Sequence, residues 1–388
     1  MKILLSTGIF PNKTDINRGI YIFRQAAALK NHCEVIALAP VPFFPSFIKF
    51  RKYSAYSKIP RQDNISGIDV AYPRYFVTPK ILRSLHGFFL LASVFFSYRR
   101  VIKRYQPDLI LGFHAYPYGF ANVAIARIFN LPVFIGCRGS DINYLTKTFW
   151  RRKIITWTLR RCEKVLSVSE SLKDEIVKLG IDEARVAVIP NGIDLELFAR
   201  TAKKKARQII GMDEEAPICV CVGRMSPEKG VDVVVRALEH VQTEGLRLLL
   251  VGSGSEEDRL KTLATQLNVD EKIMFAGEKA YTEIPNWLCA SDVLVLPSRN
   301  EGHPNAVLEA LACGVPVIAS RVGGVPEIIT SPELGLLVDP DNPVQLARAI
   351  DQALARRWDP EKISGAVKRS WNSVAQDILR EASDYIEK

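Results

Sequence analysis

The chain has 388 residues, 48% of them hydrophobic and 24% charged, with a formal net charge of +10. That length suits two domains better than one core, and with no low-complexity tract or long Gly/Ser linker a largely disordered chain is excluded. Residues 1–185 carry 29 Lys and Arg against 12 Asp and Glu, whereas the remainder carries 23 against 30. A basic half attracts phosphates, nucleic acid or an anionic membrane surface; the plainer alternative is uneven surface charge. The seven cysteines are odd in number, lie mostly in apolar runs and lack metal-ligand spacing, so they read as buried free thiols in a reducing cytosol.

In chain order, the first half alternates short Val/Ile/Leu-rich runs with helical stretches. Strands are expected at 2–6, 35–39, 69–72, 109–113, 133–137, 164–168 and 187–189, with helices such as 20–30 and 121–129 between them. The run after Lys2 is only strand length, so no signal peptide is read and the location is cytoplasmic. The longest charge-free apolar stretch, 84–98, is shorter than the roughly 20 residues a membrane-spanning helix needs. It runs into Arg99, Arg100, Lys103 and Arg104, as a buried or interfacial helix would.

The pattern restarts after Asn191-Gly192-Ile193-Asp194. Strands are expected at 218–222, 246–251, 272–275, 293–296, 317–319 and 336–338, with helices at 231–241 and 256–267. Strands alternating with helices imply mostly parallel sheets covered on both faces. The expected domains are therefore 1–192 and 193–370. The tail 361–388 reads as helix, and its last part, about 371–388, is expected to pack back on the first domain.

Four groups of residues carry chemistry. Val222-Gly223-Arg224-Met225-Ser226-Pro227-Glu228-Lys229-Gly230 puts two cations at a strand's carboxyl end, where they suit a diphosphate; alone, such a loop is also common surface chemistry. Ser298-Arg299-Asn300-Glu301-Gly302-His303-Pro304-Asn305 leads from a strand into a helix containing Ala306, Val307 and Glu309. Its first amides form an anion site, and Glu301 and Glu309 can grip separate hydroxyls of one elongated ligand; the alternative is a capping acid and a surface acid. Gly252, in Gly-x-Gly, and the pair Gly277-Glu278 each follow a strand. In the first half, Arg18-Gly19, His114 and Arg138-Gly139-Ser140-Asp141 follow strands, where open sheets bind ligands. His114 also reads as a structural histidine, and Arg138 with Asp141 as a loop-stabilising ion pair.

The segment Glu301 to Val317 resembles the retaining glycosyltransferases of the GT-B fold, family four: Glu, seven residues, Glu309, a small helix, then Gly314-Val315-Pro316-Val317. The resemblance extends over nearly the whole chain. It implies an α/β protein of two doubly wound Rossmann-like domains facing across a cleft, the second binding a UDP- or GDP-sugar donor and the first an acceptor. Glu301 would contact the transferred sugar and Glu309 the ribose. Gly302, His303, Pro304 and Asn305 would contact sugar and phosphate, with Ala306 and Val307 continuing the donor site. Arg224 and Lys229 would clamp the diphosphate, Gly252 would lie near the nucleotide, and Gly277 and Glu278 would flank the base.

In the first domain the resemblance makes His114 an active-site histidine, Gly19 a donor-phosphate contact, and Arg18, Arg138 and Asp141 acceptor-side residues. Many relatives have two glycines where Arg18-Gly19 stands here. No Asp-x-Asp pair stands where it would hold a metal, so transfer is expected to need no metal and no cofactor. Retention without a protein nucleophile implies front-face attack.

Aromatics interleaved with cations over 42–53, together with the helix 85–104, point to an anionic membrane surface on the inner face of the cytoplasmic membrane. Core packing with a solvated basic rim is the alternative. A membrane surface suits a lipid-linked saccharide as the acceptor, and the segment Arg138-Gly139-Ser140-Asp141 resembles that of relatives that build bacterial surface polysaccharides, which implies surface-polysaccharide synthesis. Nucleic acid is not an expected partner, because aromatic-basic strand motifs are missing. The competing functions are a nucleotide-sugar epimerase and a non-enzymatic binding protein.

Overall fold

A computed structural model describes residues 1–43, 55–77, 85–213 and 215–386. Most of the aromatic-basic stretch 42–53 lies outside the described residues. The chain forms two compact units, Met1–Pro190 joined by the segment from Trp371, and Asn191–Ser370.

The described residues of the first unit form ten strands: β1 (Lys2–Ser6), β2 (Glu34–Leu38), β3 (Val41–Phe43), β4 (Gln62–Ile65), β5 (Ile68–Ala71), β6 (Arg74–Phe76), β7 (Leu109–Phe113), β8 (Val133–Cys137), β9 (Lys164–Ser167) and β10 (Val186–Val188). Eight of them form one sheet in the order β10-β9-β8-β7-β1-β2-β5-β4, and β3 pairs with β6. Only β4 runs antiparallel, folding back on β5 through Ser66-Gly67. It was not expected because Gln62-Asp63-Asn64 lacks strand composition; as an edge strand it has no second partner to satisfy.

Both faces of this sheet are covered, so its strands read as continuous apolar runs. In β1, Leu4 joins the core beneath Leu90, Val94 and Tyr98 of the helix His86–Tyr105. Ile3 and Leu5 join the opposite core with Ile22, Ala26 and Leu29 of the helix Ile20–Lys30. The second core also takes Trp371, Val374, Ala375, Ile378 and Ala382, one stripe of the helix Trp371–Ile386. Trp371 stacks at a tilt on Tyr21 (6.5 Å), and Glu381 pairs with Lys164 at 2.8 Å.

The tail 361–388, expected as one helix, is two. Pro360–Gly365 and Trp371–Ile386 are separated because Ser370 bridges to Ile193 and the Arg369 carbonyl accepts from the Ile193 amide at 3.1 Å. Extended backbone there cannot continue the i to i−4 ladder.

The second unit has six parallel strands: β11 (Ile218–Val222), β12 (Arg247–Val251), β13 (Ile273–Gly277), β14 (Val293–Leu296), β15 (Val317–Ser320) and β16 (Gly335–Val338). Their order is β13-β12-β11-β14-β15-β16, that of a doubly wound nucleotide-binding sheet. The helix expected at 231–241 stops at Ala237, and the Gln242 and Thr243 amides turn to the Asp351 carboxylate. Cys219 and Cys221 fall on the same side of β11, packed with Leu248, Leu250, Val293 and Val295. All seven cysteines are free, and all but Cys33 are buried.

Candidate active site

In the second sheet the strand order reverses between β11 and β14. The connections leaving these two strands go opposite ways, and their carboxyl ends open the crevice in which such sheets bind ligands. The loops after β11 and β14 carry Arg224 with Lys229 and Glu301 respectively. They are packed closely. Gly230 sits at φ +62, and a Cβ there would stand 2.1 Å from the Pro297 carbonyl oxygen, so only glycine fits. The Arg299 amide donates to the Glu228 carbonyl at 2.9 Å. Its guanidinium forks onto Asp232, both bonds 2.9 Å, and also reaches the Pro227 carbonyl at 2.7 Å. Asp232, through its hydrogen bonds first, and Asp341 raise the Arg299 pKa against the effect of burial, and the contacts hold the two loops as one body.

Glu301, only 7% exposed, lies within this body. One of its carboxylate oxygens, Oε1, accepts from both Lys229 Nζ and the Ser298 hydroxyl, each at 2.7 Å. Ser298 is fully buried, so it fixes the carboxylate rather than meeting ligand. Two residues expected to meet different parts of a ligand are thus in direct contact. Arg224 is exposed, on the same loop as Lys229, and with it lines a small pocket against Gly223, Val251, Leu296 and Pro297.

Beyond Glu301 the chain is pinned on both sides. The Gly324 amide holds the Gly302 carbonyl (3.0 Å), and Asn191 Nδ2 holds the His303 carbonyl (2.9 Å). Pro304, in extended backbone, then starts the helix Asn305–Ala312. The amides of Asn305, Ala306 and Val307 have no carbonyl four residues back within the helix, which suits an anion. Asn305 and Glu309 share a face at i, i+4. The Asn305 Oδ1 atom is buried without a hydrogen-bond partner among the described residues, and Glu309 is 2% exposed.

Neighbouring loops are chained to this centre. Met225 donates to the Ser253 carbonyl (2.9 Å), Glu256 donates to the Met225 carbonyl (3.1 Å), and Gly252 donates to the Gly277 carbonyl (2.9 Å). Gly252 and Gly277 therefore lie one and two strands outward from Arg224, and Glu278 is exposed beyond the edge strand β13. Among the described residues no three His, Cys, Asp or Glu side chains are grouped to hold a metal.

In the first unit the corresponding reversal lies between β1 and β7. Gly19 has φ +65, and a Cβ there would stand 2.5 Å from the Ile9 carbonyl oxygen, so the glycine lets its loop close on itself. Arg18 ties this loop to itself and to a later segment: it donates to Gly8 O (3.2 Å) and Tyr56 Oη (2.7 Å), and its guanidinium lies 5.1 Å from the Tyr56 ring centre.

His114 ends β7 at φ +66, a strained conformation for a residue with a side chain. Burial lowers its pKa, reinforced by Arg138 and opposed by Asp141, which favours a neutral ring. Arg138 lies 4.8 Å over the Phe113 ring and donates to Gln25 of the helix that Gly19 starts. Burial lowers its pKa to about 10.

Asp141, expected to line an acceptor surface, is 1% exposed instead. Its carboxylate accepts from the amides of Ala115 (2.8 Å), Arg138 (3.1 Å) and Gly139 (3.2 Å). It therefore ties the His114 loop to the Arg138 loop rather than reaching a ligand. Asp141→Ala would strand three amides, those of Ala115 and Gly139 buried, and is expected to destabilise this unit by about 3 kcal/mol. Urea unfolding checks this, and an unchanged midpoint would contradict the role.

Sequence reasoning gave no role to Ser298, Arg299, Asn191 or Ser226. Ser298 stands three residues before Glu301, the one local hint. Ser226, beside Arg224, has a buried hydroxyl with no partner among the described residues.

Two family models match the chain, Glycosyltransferase Family 4 over residues 20–197 and Glycosyl transferases group 1 over residues 202–369. The chain belongs to glycosyltransferase family 4. As a family 4 glycosyltransferase it is an enzyme that uses nucleotide-sugar donors. Among its relatives is a putative teichuronic acid biosynthesis glycosyltransferase, TuaC, of Bacillus subtilis, 29% identical over 93% of this chain and 91% of its own. A D-inositol 3-phosphate glycosyltransferase of Acidothermus cellulolyticus is 34% identical over 52% of this chain and 48% of its own.

The sucrose-phosphate synthase of Thermosynechococcus elongatus superposes with a TM-score of 0.83 at 21% identity, covering 100% of this chain and 99% of that one. Anabaena HepE, solved with UDP-glucose, gives 0.71 at 20%, with the same coverage. The GT-B fold read from the sequence is the observed class.

Proposed function

We propose that this family 4 glycosyltransferase is retaining and metal-independent. It moves a sugar from a UDP- or GDP-sugar onto a lipid-linked saccharide in surface-polysaccharide synthesis, at the inner face of the cytoplasmic membrane. The observation that carries the reading is the Lys229–Glu301–Ser298 contact at the β11/β14 reversal, with Arg224 beside it and Glu309 on the next helix.

Arg224 and Lys229 supply the positive charge that a departing diphosphate needs as its oxygens gain charge, the part a metal plays elsewhere. Glu301 receives the sugar and Glu309 the ribose. The leaving phosphate helps deprotonate the acceptor on the face it departs from, so no protein nucleophile is assigned. His114, kept neutral, supports the sugar or the developing charge. Arg138 stands on the acceptor side, with Asp141 holding its loop.

The acceptor and location rest on the basic first half and on its exposed aromatics. The name of TuaC, a putative teichuronic acid biosynthesis glycosyltransferase, supports a role in polysaccharide synthesis. No helix among the described residues is long and apolar enough to cross a membrane.

A panel of nucleotide sugars tests the reading, first by thermal shift and then by transfer to membrane extracts. The product's anomeric configuration would be read by NMR. The donor's configuration should be kept, at a rate unchanged by EDTA. An inverted product, or loss of transfer restored by a divalent cation, would overturn it.

A further inference from the structure

The helix Phe149–Arg161 begins with two aromatics turned outward. Phe149 and Trp150 are 61% and 63% exposed, while Ile155, Thr158 and Leu159 face the core. A helix packed only for stability would place such rings inward. Their rings meet edge to face at 5.4 Å, and Lys153 Nζ lies 4.5 and 5.7 Å from the two centres.

Cations continue along the helix, with Arg152, Lys153 and Arg160 exposed. Phe149, Arg152, Lys153, Thr156, Trp157 and Arg160 line one groove, apolar in its floor and cationic at its rim. No Asp or Glu occurs from Ile142 to Cys162, a stretch holding six Lys and Arg.

The patch does not stand alone. Trp157 touches Phe120 with ring centres 5.3 Å apart, and Phe120 touches Phe88 at 4.7 Å. Phe88 is 48% exposed at the start of the helix His86–Tyr105. The buried ring of Phe120, 6% exposed, thus joins the outward Phe88 of one helix to Trp157 of the other. Tyr144, 65% exposed, precedes the groove, and the short helix Ser140–Asn143 connects it to the Arg138 loop.

From this arrangement we infer that Phe149 and Trp150 are the inserting tip of a surface that docks on an anionic phospholipid bilayer, with Arg152, Lys153 and Arg160 at headgroup depth. Aromatic rings that sit at the acyl boundary beneath long cationic side chains are the chemistry of interfacial attachment. The unbroken positive charge matches anionic lipid, and its pull is screened by salt. The inference rests on the membrane reading above but places the anchor elsewhere, on a helix reached directly from the Arg138 loop rather than on residues 42–53.

Co-sedimentation with vesicles of phosphatidylglycerol and phosphatidylcholine tests it, using the full chain, Phe149→Ala/Trp150→Ala and the control Ile209→Ser. Ile209 is 55% exposed but lies in the second unit. Wild type and control should bind at low salt, release as salt rises, and ignore pure phosphatidylcholine. The double variant should partition roughly tenfold more weakly with an unchanged melting temperature, since both rings are already exposed. If wild type and double variant bind equally, this anchor is overturned while the membrane reading stands. If wild type never binds, the membrane reading fails and takes the anchor with it. If the double variant keeps vesicle binding but shifts from dimer to monomer in sedimentation, the surface joins two copies of this chain and the inference is overturned.

Discussion

Replacing Lys229 with Ala is expected to lower turnover roughly a hundredfold or more, as removal of other charge-stabilising groups does. Two losses combine. The leaving diphosphate loses a point charge, and Glu301 loses one of the two donors on Oε1, keeping only the Ser298 hydroxyl. The second loss matters because Glu301 is buried, where a carboxylate that loses a donor is under-compensated and free to move.

Arg224→Ala separates the two effects. Arg224 is exposed, and among the described residues the partners of the Glu301 carboxylate are Lys229 and Ser298, so loss of Arg224 should remove charge at the diphosphate while leaving the carboxylate in place. Single-turnover rates with saturating donor should fall in both variants, further for Lys229→Ala. Lys229→Arg should rescue only in part, since a planar fork replaces a compact ammonium beside Ser298. Near-normal transfer by both alanine variants would remove the clamp assignment.

Much of the fold was legible because its signals are local. The apolar runs 2–6, 109–113, 133–137, 218–222 and 293–296 match β1, β7, β8, β11 and β14 to the residue, since a strand buried on both faces writes itself as consecutive Val, Ile and Leu. Polar β4 and the three-residue β3 and β6 carry no such mark. The tail's break depended on Ile193, far away in the chain, capturing Arg369 and Ser370.

The site divides the same way. Residue types at strand ends were readable because open sheets put ligands there. Which atoms touch was not. Ser298 could have been singled out by its spacing from Glu301, but nothing in the order of residues shows that it shares an oxygen with Lys229, 72 positions from Glu301. Asn191 holds the His303 carbonyl across 112 positions, and Asp141 turns inward to Ala115 rather than outward. A side chain's partner is settled by packing, and packing is non-local.

The two carboxylates should separate nucleotide binding from sugar transfer. Glu309 lies one turn inside the helix Asn305–Ala312, 2% exposed and on the face of Asn305, where it would accept from ribose hydroxyls. Hydrogen bonds to a charged group contribute about 1.5–3 kcal/mol, so Glu309→Ala should weaken binding of free UDP or GDP by roughly ten- to a hundredfold. Glu301→Ala should behave differently. It removes the sugar contact and also releases Lys229 from its 2.7 Å pairing, leaving that ammonium free to turn to the diphosphate. Free nucleotide should therefore bind this variant as tightly as wild type or more so, while transfer collapses. Titration calorimetry with UDP and with GDP, beside turnover with the preferred donor, reads both effects. Equal loss of nucleotide affinity in the two variants would contradict the division of labour and would place Glu301 on the nucleotide rather than on the sugar.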